Sequence, residues 1–152
     1  MNANLSFRSS VLILIVCLAG MFIVIKDGYL LNKISYVKIG DVNVQVELAT
    51  TPQARAQGLS GRAGLSEDEG MLFIFDKSGR YSFWMKDMNF AIDIIWISDD
   101  MRVVYIKKDA RPESYPESFM PETSALYVLE VNAGYAKQHD LKEGDAARFD
   151  LP

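Results

Sequence analysis

The residue types that most often carry protein chemistry are nearly missing: the chain has one cysteine, Cys17, and one histidine, His139. A disulfide within the chain is thereby excluded, and Cys17 sits inside an apolar stretch, away from any thiol chemistry in the rest. Oxidising compartments permit disulfides without requiring them, so this scarcity does not speak to localisation. Metal sites draw on several His, Cys or carboxylate ligands at compatible spacing. His139 stands alone near a helix end ahead of Gly144, and no metal or other cofactor is expected. The acids form no calcium-loop pattern. A Ser-His-Asp arrangement would need His139 and a serine that no nucleophile elbow marks. Gly58, Gly61 and Gly64 do not lie between a strand and a helix N-terminus in the order of a phosphate-cradling loop.

Positive charge is also short. From Ile34 onward there are 13 Lys or Arg against 19 Asp or Glu, a net charge of −6. That balance argues against a nucleic-acid partner and against adhesion to anionic lipid headgroups.

What the chain has in excess is an apolar run near its start. Val11 to Ile25 (VLILIVCLAGMFIVI) carries no charged side chain. It is shorter than the roughly 20 residues that cross a hydrocarbon core comfortably, but Ser9, Ser10 and a snorkelling Lys26 extend its reach. A cleaved signal peptide is the competing reading, with Arg8 as the basic flank and Ala19-Gly20 as a cut site. Met21 to Ile25 restores apolarity where cleavage sites turn polar, and this favours a retained anchor. The expected organisation is a cytoplasmic-side tip (1–8), a membrane signal-anchor helix (9–26), a linker (27–33) and a globular domain (34–152) on the extracytoplasmic side. Secretion after cleavage is the alternative.

The domain reads as strands. Ile34 to Leu48 forms a hairpin through Gly40-Asp41, with Val42, Val44, Val46 and Leu48 alternating against polar neighbours. Thr51 and Pro52 open a short helix that Gly58 ends. An exposed loop is expected over 59–70. Apolar runs at 71–75, 81–85, 92–97, 102–106 and 125–131 follow, then a helical turn at 133–139 and a last strand at 146–149. The fold class is mainly β, a compact sandwich or jelly-roll-like domain with one or two short helices after an N-terminal hydrophobic helix. The triplet Pro112-Glu-Ser, Pro116-Glu-Ser, Pro121-Glu-Thr marks a strap that pins Tyr115 and Phe119 onto the sheets.

Two places attract attention as chemistry. Trp84-Met85-Lys86-Asp87 ends an apolar run in an adjacent cation and anion beside large side chains. Asp93 lies in the otherwise apolar Ile92 to Ile97, where an unpaired carboxylate would be costly. Lys86, Arg55 or Arg62 is its expected partner, and Arg62 and Asp93 are expected in one cluster at an end of the domain. A buried ion pair fixing the junction is the simpler reading; a ligand-facing carboxylate is the other.

Arg55-Ala-Gln-Gly-Leu59, Arg62, Leu65, Asp68 to Phe75, Phe83-Trp-Met-Lys86 and Ile92-Asp-Ile-Ile95 occur in order. Tyr127-Val-Leu-Glu130, Ala133-Gly134 and Gly144-Asp145 complete the series. Together they resemble the domain of unknown function 192 family (DUF192), over about Ile34 to Phe149. The resemblance implies a β-rich domain, often exported or membrane-anchored, with no established reaction. It adds Tyr127 and Glu130 to the residues worth watching. Ser60-Gly61, Asp87-Met88 and Ala91 depart from the usual family wording.

Acids such as Glu69, Asp87 and Asp93 supply material for a carboxylate hydrolase, but no spacing marks a pair, and the residues lean away from an enzyme. A membrane-held binding module for a glycan, peptide or small molecule is the first expectation, using Arg55, Arg62, Trp84, Lys86 and Tyr127. An assembly domain for another envelope protein is the second.

Overall fold

The computed structural model describes residues 35–151; the expected tip, anchor and linker lie outside the described residues. No helix among the described residues is long and apolar enough to cross a membrane.

The chain opens with the expected hairpin, β1 (Ser35–Ile39) and β2 (Val42–Ala49). Helix α1 (Pro52–Gln57) follows as its residues dictate: the Thr51 hydroxyl accepts the Ala54 amide at 3.1 Å, Pro52 occupies the first turn, and Gly58 ends it. Strand β3 (Glu69–Gly79) is longer than its apolar centre, and β4 (Phe83–Trp84) is far shorter than the run that contains it. Then come β5 (Ile92–Ile97), β6 (Val103–Ala110), a 3-10 turn (Pro112–Ser114) and β7 (Ser118–Phe119). Strand β8 (Ala125–Asn132), helix α2 (Tyr135–Gln138) and β9 (Ala147–Asp150) close the domain.

Seven strands form one sheet in the order β6-β5-β8-β3-β2-β1-β9, and only the β2–β3 pair is parallel. The sheet curls until its two edges meet. Arg102 bridges Ala146, the Val103 amide donates to the Asp145 carbonyl at 2.9 Å, and the Ala147 amide donates to Met101 at 2.8 Å. Strands β4 and β7 make a separate two-stranded ribbon. The mainly-β content and the two short helices are as expected, but the layering is one curled sheet rather than two stacked ones. The reason is physical: a run such as β5, buried at every position, needs cover on both faces. Periodicity does not say whether a second sheet or a curl with a lid supplies that cover.

Two cores result. The first draws on all seven strands of the sheet, for example Val37, Val44, Leu72, Ile95, Val103, Leu129 and Ala147, with Tyr135 and Ala136 of α2; it is the inside of the curl. The second lies on the opposite face, where Met71, Phe73, Ile94, Trp96 and Val128 are covered by Leu59, Met85, Met88 and Phe119. Of the two aromatics expected to pin the strap, Phe119 is buried whereas Tyr115 is exposed.

Asp93 is fully buried, and the cations expected beside it are elsewhere. Its Oδ1 accepts the Asp109 amide at 2.8 Å and its Oδ2 accepts the Ala136 amide at 2.8 Å. Asp109 has a left-handed backbone (φ 50°), which aims its N–H off the β6 edge and at the carboxylate. One acid thus ties β5 to β6 and to the first turn of α2. Backbone donors are rigid and already desolvated, so they satisfy a buried carboxylate without immobilising a long side chain. Arg62 and Asp93 consequently do not pair.

Asp93→Ala is expected to cost about 3 kcal/mol in denaturant unfolding, because the buried Ala136 amide and the partly buried Asp109 amide lose their acceptor. Amide exchange at Asp109 and Ala136 should accelerate first; unchanged stability would contradict the tie. Gly70→Ala should also destabilise, since an added Cβ would meet the Glu130 carbonyl oxygen at 2.6 Å, with Val131 and Val44 at 3.1 Å. Thermal unfolding measures it.

Candidate functional site

Register across the sheet places Glu47 of β2, Met71 of β3, Glu130 of β8 and Ile94 of β5 in one row on the outer face. The next row holds Ala49, Phe73, Val128 and Trp96. Directly opposed residues share a face, so Glu130 belongs with the second core, whereas Asp93 and Tyr127 lie one position out of phase and face the first.

A cleft of about 280 Å³ opens over these rows. Gly58 and Leu59 at the end of α1 form one side, and Tyr81 to Trp84 form the other. Phe73 and Glu130 reach it from the sheet. The aromatic walls are held by their own contacts. Phe83 meets Phe73 edge-on at 4.9 Å and Trp96 edge-on at 5.7 Å. Tyr81 stacks on Phe75 at 3.5 Å, with its hydroxyl donating to the Lys77 carbonyl at 2.6 Å. Trp96 Nε1 donates to the Tyr81 carbonyl at 2.9 Å, which fixes the height of that segment. Trp84 is 57% exposed at the rim. Gly58 adopts φ +50°, and a Cβ there would come within 3.3 Å of the Phe73 ring and 4.0 Å of Glu130 Oε2. A side chain at 58 would therefore narrow the cleft above the carboxyl group.

Glu130 is 5% exposed, and its Oε2 has no hydrogen-bond partner among the described residues. Burial pushes its carboxyl up to about 8, against a smaller opposing pull from the Arg62 guanidinium. Arg62 does not close on it because Glu47 holds both of its nitrogens, at 2.5 and 2.7 Å. The hydrogen bonds from Arg62 hold the Glu47 carboxyl below its usual range, and those to Glu47 raise the guanidinium. Arg55 is committed too. One of its nitrogens donates to the Thr50 and Ile74 carbonyls at 2.6 and 2.8 Å, and the guanidinium lies 5.2 Å from the Phe75 ring centre.

Of the residues singled out in the sequence, Arg55, Trp84 and Glu130 line the cleft. Met85 is buried beneath the ribbon in the second core. Lys86 and Asp87 have exposed side chains and act through their backbone. The Lys86 carbonyl accepts the Ser60 hydroxyl at 2.9 Å, and the Asp87 carbonyl accepts the Gly61 amide at 2.8 Å. Tyr127 faces away and packs edge-on against Phe149. Sequence reasoning missed the wall residues Phe73, Phe75, Tyr81 and Phe83, which read as ordinary strand hydrophobics. The weight of Glu130 was available, because an acid inside Ala125 to Val131 is the same anomaly as Asp93 inside Ile92 to Ile97.

A second hollow, about 290 Å³, lies beside the strap between Lys107, Arg111 and Glu113. Its cations are answered locally: Arg111 pairs with Asp109 at 2.7 Å, and Lys107 lies 4.3 Å from the Phe119 ring centre. Among the described residues, no three His, Cys, Asp or Glu side chains gather as a metal site would require.

The family model of DUF192, described as an uncharacterized ACR, matches residues 35–149, the whole of the curled sheet. The chain belongs to the DUF192 family. A UPF0127 protein of Thermococcus gammatolerans is 32% identical over 108 residues, covering 70% of this chain and 67% of that one. Two solved structures share the fold. One, from Sinorhizobium meliloti 1021, is named as a candidate transcription regulator; it has a TM-score of 0.72 and 31% identity, covering 76% of this chain and 92% of that one. The other, a protein of unknown function from Novosphingobium aromaticivorans, has a TM-score of 0.71 and 31% identity, covering 74% and 83%. The DUF192 assignment thus carries the fold and the boundaries of the domain without supplying an activity.

Glu130 makes the domain's stability depend on pH in a definite direction. Its folded value, about 8, lies above the ordinary 4.5. Below 4.5 folded and unfolded chains both hold the proton; between 4.5 and 8 only the folded chain does, so its contribution is lost as pH rises through that window. Relative to Glu130→Gln, the wild-type chain should lose a few kcal/mol between pH 5 and pH 8.5, read from denaturant midpoints. Parallel curves for the two proteins would contradict the burial of an unpaired acid.

Proposed function

We propose that this DUF192 domain is a binding module whose ligand enters the cleft between α1 and the Tyr81–Trp84 segment, and that residues 9–26 hold it at the extracytoplasmic face of a membrane. The observation that carries the reading is Glu130 Oε2: a carboxyl oxygen at the base of an open, aromatic-walled cleft with no partner among the described residues. Leaving such a group unsatisfied costs about 1–3 kcal/mol, and a ligand that answers it recovers that cost. Trp84, Phe83 and Tyr81 offer flat apolar faces around it, the usual composition of a small-molecule site. One buried acid without a positioned nucleophile or second acid suits holding a ligand better than transforming it.

An envelope protein partner is the second reading, favoured by Trp84, Tyr115 and Met120, which are all large, apolar and exposed on or beside the β4–β7 ribbon. A nucleic-acid partner, which the name of the Sinorhizobium relative would suggest, fits poorly with a net charge of −6 from Ile34 onward.

Trp84 and Trp96 are the two tryptophans, and only Trp84 is exposed. In a small-molecule screen read by tryptophan emission of the full chain, ligands should perturb wild type and leave Trp84→Phe silent. Hits that persist in Trp84→Phe, or a complete absence of hits alongside capture of a protein partner through the ribbon, would move the reading to the second one. For the anchor, alkaline extraction should leave the full-length chain in the membrane fraction; release would count against an integral segment.

A further inference from the structure

We infer that the cleft takes a protonated amine on an apolar or aromatic body, with the ammonium group against Glu130 and the body against Trp84 and Phe83. The inference rests on the binding reading above and goes further by naming the ligand's charge.

Three features of the cleft select that sign. Among the described residues that line the cleft, Glu130 Oε2 is buried without a hydrogen-bond partner, while Arg62 is held by Glu47 and Arg55 Nη1 by two carbonyls, with its guanidinium over the Phe75 ring. A cation brought by the ligand is therefore the charge that Glu130 lacks. Next, the walls are aromatic. The face of a ring attracts cations, and more strongly where water is excluded. Last, the neutral side-chain donors that an anion would use are mostly taken. The Tyr81 hydroxyl is spent on Lys77, the Gln57 side-chain amide on Ser60, and the Ser60 hydroxyl on Lys86. A bare carboxylate paired with a ligand cation in a dry site gains far more Coulomb energy than an exposed pair.

Burial sets the titration of Glu130, and the charged groups around it modulate that effect. Arg62 attracts it from the loop after α1, Glu47 of β2 stands behind Arg62, and Arg55 of α1 lies at the rim. From the neighbouring strands, β3 and β5 place only Met71 and Ile94 directly beside it. An ammonium ligand should therefore expel the proton from Glu130. Its affinity should rise with pH up to about 8, whereas the affinity of a neutral analogue should not.

The experiment is calorimetric titration of the full chain with benzylammonium, benzyl alcohol and phenylacetate, three probes of similar shape and different charge, at pH 6, 7 and 8. Benzylammonium should bind most tightly, gain up to about tenfold per pH unit, and release a proton on binding. Glu130→Gln should weaken it at least about tenfold, and should weaken the uncharged benzyl alcohol far less. Trp84→Ala, at an exposed position that tolerates truncation, should weaken both. A capped lysine tripeptide tells the source of the amine: tighter binding than benzylammonium assigns it to a polypeptide, weaker binding to a free small molecule, and either supports the cation. If benzyl alcohol or phenylacetate binds as well as benzylammonium, or Glu130→Gln leaves benzylammonium unaffected, the cation inference falls and the binding reading stands. If no probe binds, both fall.

Discussion

Strand β8 is hydrogen-bonded on both edges, to β3 and to β5, and it is covered on both faces. Its stretch Val128–Val131 is buried throughout, so a carboxyl group placed there must be satisfied by neighbours, neutralised, or answered from outside. Much of the site depends on how this constraint is met. Met71 and Ile94 flank Glu130 with apolar surface, Glu47 takes the arginine that would have answered it, and Glu130 is left in the lining of the cleft.

Asp93 is the instructive contrast. It sits one strand over, one residue out of phase with Glu130, and is just as deeply buried. Two backbone amides close on it at 2.8 Å, and it becomes a structural tie inside the curl. Two acids in neighbouring apolar strands thus have opposite surroundings. The difference is whether main-chain donors of another element converge on the oxygen atoms. The conformation of Asp109 and the docking of α2 supply them in one case, and among the described residues no element supplies one to Glu130 Oε2 in the other.

The cleft is built by local devices that hold loops rather than by the sheet alone. The Ser60 hydroxyl and the Gly61 amide dock onto the Lys86 and Asp87 carbonyls, joining the loop after α1 to the loop after β4. Asn89 Nδ2 adds a bond to the Arg62 carbonyl at 2.9 Å. Lys86 and Asp87 stand out in the sequence for their charges, yet they serve the site through backbone oxygens while their side chains remain in solvent. A left-handed backbone at Asp87 (φ 55°), tolerated by a short polar side chain, sets that geometry.

Local patterns in the chain already settled the β1–β2 hairpin, the capped helix α1, the buried run of β5 and the place of β8, because alternation, caps and turn residues act between near neighbours. The motif series also announced the DUF192 domain and its extent. Tertiary structure decided three things that no local pattern contains. The curl replaced two stacked sheets, since a strand buried on both faces is compatible with either. The partner of Asp93 proved to be the backbone, since main-chain donors have no sequence signature. Glu130 was left alone beneath an aromatic cleft, since the arginine within reach of it was already held by an acid from another strand, and that competition exists only once both are folded into place.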